Sequence, residues 1–67
     1  MSWQTFEQAK PEPGQICKVK FEVWRHHTLW YKDTSIFKYI GWSDFLNEPI
    51  FEESFDDCKV YFTHWKI

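Results

Sequence analysis

Ile16-Cys17-Lys18-Val19-Lys20-Phe21-Glu22-Val23-Trp24 is the stretch that decides the fold. Cys17, Val19, Phe21 and Val23 alternate with Lys18, Lys20 and Glu22, the period-two pattern of a strand with one buried and one wet face. Upstream, Lys10-Pro11-Glu12-Pro13-Gly14 stops any helix and feeds an extended segment, so this opening strand runs from Gln15 to about Arg25. Downstream, Arg25-His26-His27-Thr28 breaks the alternation and reads as a polar connection into a shorter strand, Leu29–Lys32. Asp33-Thr34-Ser35 has turn composition, since each side chain is able to bond its own backbone. A third strand, Ile36–Ile40, closes at Gly41, and the segments together predict a meander of antiparallel hairpins.

Both ends add to this frame. Met1 to Ala9 predicts a short N-terminal helix: Ser2 is a candidate cap, Thr5 and Gln8 have capping-box spacing, and Trp3 and Phe6 stand i, i+3 to plug one end of the sheet. Ser43 is placed to cap a single helical turn, which Pro49 ends. From there to Asp57 the chain interleaves apolar residues with carboxylates and reads as an acidic excursion across one sheet edge; loops this long are functional or mobile. Cys58–Trp65 returns to strand character. The expectation is one small α+β domain over residues 1–67, with a short N-terminal helix, a three- to four-stranded antiparallel meander and an acidic loop before the last strand.

Sixty-seven residues give a small core, and 15 aromatic side chains (five Trp, three Tyr, seven Phe) supply its bulk. Both faces of the sheet then carry apolar side chains, and a homodimer that stacks two sheets is the simplest sink for the surplus. Cys17 and Cys58, with no basic-plus-apolar leader before them, point to a reducing cytoplasm and free thiols, a single disulfide being the alternative. No apolar run approaches the roughly 20 residues of a membrane span. Net charge is −2, divided unevenly: six Lys/Arg against four Asp/Glu give +2 over residues 1–42, and two against six give −4 over residues 43–67. That overall sign argues against a nucleic-acid partner.

Trp3, then Lys10-Pro11-x-Pro13-Gly14-Gln15 before a strand, an aromatic middle and Thr63-His64-Trp65 together resemble a family of small phage and prophage proteins that carries a domain-of-unknown-function label. The chain departs from that family in ending Lys66-Ile67 where a proline-rich tail follows, and in the acidic stretch 48–57. The resemblance implies a phage-encoded intracellular protein and brings no catalytic residues.

Candidate sites follow from the surfaces left over. Glu48, Phe51, Glu52, Glu53, Phe55, Asp56 and Asp57 combine carboxylates with aromatic anchors, a composition suited to docking on a basic groove of a host protein. The corresponding expectation is a non-enzymatic phage protein that binds and modulates a host protein. Lys18, Lys20 and Lys38 with Trp24 and Trp30 offer an alternative, a lysine and aromatic sheet face for single-stranded nucleic acid. A partial DNA mimic built on the same carboxylates is the third reading. His26 and His27, adjacent on an extended chain, point to opposite sides and do not share a metal; His64 reads as a packed imidazole. No nucleophile stands beside a base, and two glycines in the whole chain leave no phosphate-cradling loop. The expectation is therefore no catalysis, no cofactor and no metal.

Overall fold

The computed structural model describes residues 2–55 and 57–67. Among them there is no helix, so the expected α+β class is corrected to all-β. One five-stranded antiparallel sheet is built from β1 (Gln4–Thr5), β2 (Ile16–Arg25), β3 (Thr28–Ser43), β4 (Glu48–Phe51) and β5 (Lys59–Lys66).

β2 lies near the middle of the order β1-β5-β2-β3-β4 and behaves as its alternation predicts. Cys17, Val19, Phe21 and Val23 are buried while Lys18 is exposed, because one face of the strand turns into the core. The simple meander is corrected too. β2, β3 and β4 follow one another as hairpins, but β5 pairs with β2 and not with β4. Three hairpin-linked strands and a fourth returning beside the first make a Greek key. The sheet curls until β4 meets β5 across its concave face: the Phe51 and Phe62 ring centroids are 4.7 Å apart.

The predicted N-terminal helix is a single turn. Its capping box forms, with the Thr5 N–H donating to Gln8 Oε1 (2.8 Å) and the Gln8 N–H to Thr5 Oγ1 (3.2 Å), and the Ala9 N–H reaches the Thr5 carbonyl at 3.3 Å. Nothing propagates it, because Pro11 and Pro13 follow at once, and Gln4–Thr5 pairs with β5 instead. Trp3 and Phe6 consequently part: Phe6 is buried in the core, whereas Trp3 lies on the convex side against Lys20 and Lys66.

The predicted turn at Asp33-Thr34-Ser35 is also absent. β3 runs unbroken for 16 residues, and Asp33, Thr34 and Ser35 pair with Phe21, Lys20 and Val19 of β2. A ten-residue β2 offers a ladder that outweighs local turn propensity. The Asp33 side chain still bonds locally, its Oδ1 accepting the Thr34 N–H at 2.7 Å. At the opposite end of the hairpin, His26 and His27 take φ of 52° and 62°, the left-handed pair that a two-residue type I′ loop demands.

The acidic excursion is shorter and more ordered than expected. Ser43 Oγ accepts the Leu46 N–H (3.1 Å) and caps the turn 44–47, after which Glu48–Phe51 forms edge strand β4. Pro49 is tolerated there because an edge strand does not need every N–H. Of the described residues between β4 and β5, 52–55 and 57–58 lie outside any strand. Phe51 is the hub of the core, with Phe6, Phe37 and Tyr39 centroids at 6.0, 6.1 and 5.4 Å. Phe55 folds over Phe21 and Phe37 at 5.5 and 6.2 Å. The sheet's own curl, Phe6 and Phe55 therefore fill the concave face, while Ile16 and Ile36 stay exposed on the other side.

Candidate nucleic-acid interface

Cross-strand partners in an antiparallel sheet share a face, so the register locates every polar side chain. Lys18 lies opposite Ile36 on β3 and Lys66 on β5; Lys20 lies opposite Thr34 and His64; Glu22 lies opposite Lys32 and Tyr61. Ile16 opposite Lys38 continues the row. All are on the convex side, away from Cys17, Val19, Phe21 and Val23.

Lys18, Lys20, Lys32, Lys38 and Lys66 thus stand on one surface with Glu22, and Glu52 borders it at Lys38, whose carbonyl accepts the Glu52 N–H at 2.9 Å. Glu22 is engaged: Oε2 lies 3.6 Å from Lys32 Nζ and Oε1 accepts the Trp24 indole N–H at 3.1 Å. The ion pairs found among the described residues involve Lys32 and Lys59, and none involves Lys18, Lys20 or Lys66.

Those three lysines gather around Trp3. Lys20 Nζ is 4.6 Å and Lys66 Nζ 4.8 Å from the indole centroid, and Trp3, Lys18, Thr34, Ile36 and Lys66 line a shallow groove. A second aromatic station lies at the far end of β2, where Trp24 meets Tyr61 edge-on, centroids 6.3 Å apart. From Lys18 to Trp24 the strand rises about 20 Å. A bulge between Lys20 and Phe21 leaves Thr63 unpaired on β5, and its hydroxyl donates to the Lys20 carbonyl at 3.3 Å. That bond fixes the backbone from which Lys20 projects.

Of the residues expected on this face, Lys18, Lys20, Lys38 and Trp24 are brought together. Trp30 is not with them: it sits at the bulge between Val23 and Trp24, 55% exposed, with the Arg25 guanidinium 5.0 Å above its ring. Trp3 and Lys66 are the residues that sequence reasoning misses. The Thr63-His64-Trp65-Lys66 alternation is the available signal for Lys66, whereas Trp3 falls in a stretch whose sequence predicts a helix that does not form.

The acidic set is divided. Phe51 is buried and Phe55 half-buried, so both aromatic side chains of the expected docking set pack inward. Glu52, Glu53 and Asp57 are exposed, and Glu48 is bound to Lys59 at 3.2 Å. Asp56 lies outside the described residues. No cluster of three or more His, Cys, Asp or Glu suited to a metal occurs among the described residues, and no helix among them is long and apolar enough to cross a membrane.

Cys17 and Cys58 are free thiols at opposite ends of the sheet, Cys17 opposite Phe37 and Cys58 beside the Lys59 that pairs with Trp24. The alternative of a disulfide falls with that separation. Burial pushes the Cys17 thiol up from its ordinary value, and burial followed by the charge of Cys17 raises Tyr39. No family model, no curated protein and no solved structure matches the chain.

Proposed function

We propose that this chain is a non-enzymatic binding module that holds single-stranded nucleic acid along its convex face. The observation that carries this is the Trp3 indole held by Lys20 and Lys66 beside Lys18. An exposed cation–π contact is worth about 0.5–1 kcal/mol. A phosphate competes for each ammonium on better terms, which frees the ring for a base to stack on it. The overall charge of −2 counts less against this reading than it does in the bare sequence, because much of the acidity lies at the hairpin and loop of residues 44–57. Affinity is accordingly modest and strongly salt-dependent.

The test is quenching of tryptophan fluorescence by a single-stranded oligonucleotide at low salt, reversed by added salt. Trp3→Phe should remove a distinct part of the quench. A titration with no salt-sensitive change in the wild type removes the reading.

A second reading keeps a host protein as the partner of a phage-encoded chain, on a different observation. Phe45 is 97% and Leu46 57% exposed at the tip of the β3–β4 hairpin, between Asp44 and Glu48. Two protruding apolar side chains in an acidic setting suit a basic-rimmed apolar pocket. Recovery from host lysate of a discrete protein by the wild type and not by Phe45→Ser/Leu46→Ser supports this reading; equal recovery by both ends it. The DNA-mimic reading has only the dispersed carboxylates to support it.

A further inference from the structure

The outer edge of β3 is open over half its length. β4 pairs with β3 from Tyr39 to Ser43, and the Glu52 N–H adds the Lys38 carbonyl; between the bulge at Trp30 and Lys38 no strand lies outside β3 among the described residues. The Tyr39 N–H donates to Gln15 across the β2 side, so in this regular stretch the odd-numbered residues bond toward β2. Lys32, Thr34 and Ile36 therefore present their N–H and C=O groups outward. We propose that this edge pairs with the same edge of a second copy, antiparallel, with Thr34 on the two-fold axis.

Symmetry and chemistry select that register. A two-fold perpendicular to the sheet sets some residue opposite itself, and an exchange of ladder hydrogen bonds needs outward-facing groups opposite one another. Centring on Lys32 opposes two ammonium groups, and centring on Asp33 opposes two carboxylates, both destabilising. Centring on Ser35 sets Lys32 opposite Lys38, and centring on Ile36 sets Thr34 opposite Lys38; the first opposes like charges, and both call on a Lys38 carbonyl that is already bonded to Glu52.

Centring on Thr34 uses the outward groups of Lys32, Thr34 and Ile36 on both chains. It sets Asp33 opposite Ser35 of the second copy, an acceptor facing a hydroxyl. It also places Tyr31 (43% exposed) against Phe37 of the second copy, an aromatic pair repeated on both sides of the axis. In the single chain the Thr34 N–H is held by Asp33 Oδ1, so the cap opens as the pair forms. Two five-stranded sheets then become one, and the groove of Trp3, Lys18, Thr34, Ile36 and Lys66 adjoins its symmetry mate.

Sedimentation over a range of chain concentrations, in about 0.3 M salt to screen the lysines that converge on the axis, should show a mass shifting from the 8.3 kDa of one chain to twice that. Thr34→Lys opposes two like charges at the axis on an exposed site and should hold the protein at 8.3 kDa while its circular dichroism spectrum stays that of the folded sheet. Thr34→Pro removes the outward N–H without touching the β2 ladder and should do the same. A wild type that stays at one-chain mass throughout overturns the proposal and assigns the Asp33 cap to edge protection. A dimer that survives Thr34→Lys overturns the register and the surface. Because Thr34→Lys adds a cation to the convex face, loss of the dimer is read separately from any loss of oligonucleotide binding.

Discussion

Lys59 Nζ lies 3.2 Å from Glu48 Oε2, tying β5 to β4, although β2 and β3 stand between those strands in the sheet. The ion pair marks where the curl closes. Both side chains are partly exposed, at 48% and 31%, which limits the contact to below about 1 kcal/mol. Glu48→Gln should therefore lower stability by less than about 1 kcal/mol, and the deficit should shrink in high salt when denaturation midpoints are compared at two ionic strengths.

Phe51 and Phe45 make the opposite pair. Phe51 is 5% exposed at the centre of the aromatic network, and Phe51→Ala should cost about 3–5 kcal/mol, a large part of what a domain of this size has. Circular dichroism should show that variant largely unfolded on mild warming, while Phe51→Leu keeps the fold. Phe45→Ser should change the denaturation midpoint by no more than about 0.5 kcal/mol in free energy.

On the convex face, Lys18→Gln and Lys66→Gln should each weaken oligonucleotide binding with little dependence on sequence and reduce the salt slope by roughly 0.7 for each phosphate no longer neutralised. Glu52→Gln/Glu53→Gln removes carboxylates and no cation, and should not reduce the quench at Trp3. A slope that does not respond to either lysine would place the nucleic acid elsewhere on the protein.

Cys17 and Cys58 should separate in a thiol-reagent assay: Cys58 reacts in the folded protein and Cys17 after unfolding, because Cys17 is 1% exposed. Its thiol is raised by burial above the ordinary value of 9.0, and Tyr39, raised chiefly by burial, sits above 10.0. In each case the unfolded chain loses its proton first. Stability from both groups is complete below about pH 9 and falls as pH rises through the folded values, so denaturant midpoints should decline from pH 9 upward. Cys17→Ala should flatten the start of that decline.

The sequence makes β2 legible almost to the residue, since its alternation is local and Lys10–Gly14 marks its beginning. It makes the polar hairpin at His26-His27 legible for the same reason. Asp33-Thr34-Ser35 misleads because turn composition is a local preference, and the partner that overrides it lies at residues 19–21, across the hairpin. The N-terminal helix misleads more subtly: the capping box between Thr5 and Gln8 is real, but one turn is all the prolines leave. Lys18 and Lys20 are legible as a wet face, whereas their union with Trp3 and Lys66 depends on β5 entering between β1 and β2, a long-range pairing that no spacing encodes. The aromatic anchors Phe51 and Phe55 look outward-facing in the bare sequence because the curl that takes them inward is a property of the whole sheet.

The insertion of β5 between β1 and β2 also makes the two ends of the chain depend on each other. Without residues 59–66 one edge of β2 is bare and β1 has no strand to join, and Val19 and Phe21 lose Trp65 and Phe62 across the ladder. What is left is a hairpin with a sticky flank. The Trp65 indole N–H that donates to the Ala9 carbonyl at 2.9 Å is the latch that joins the two ends.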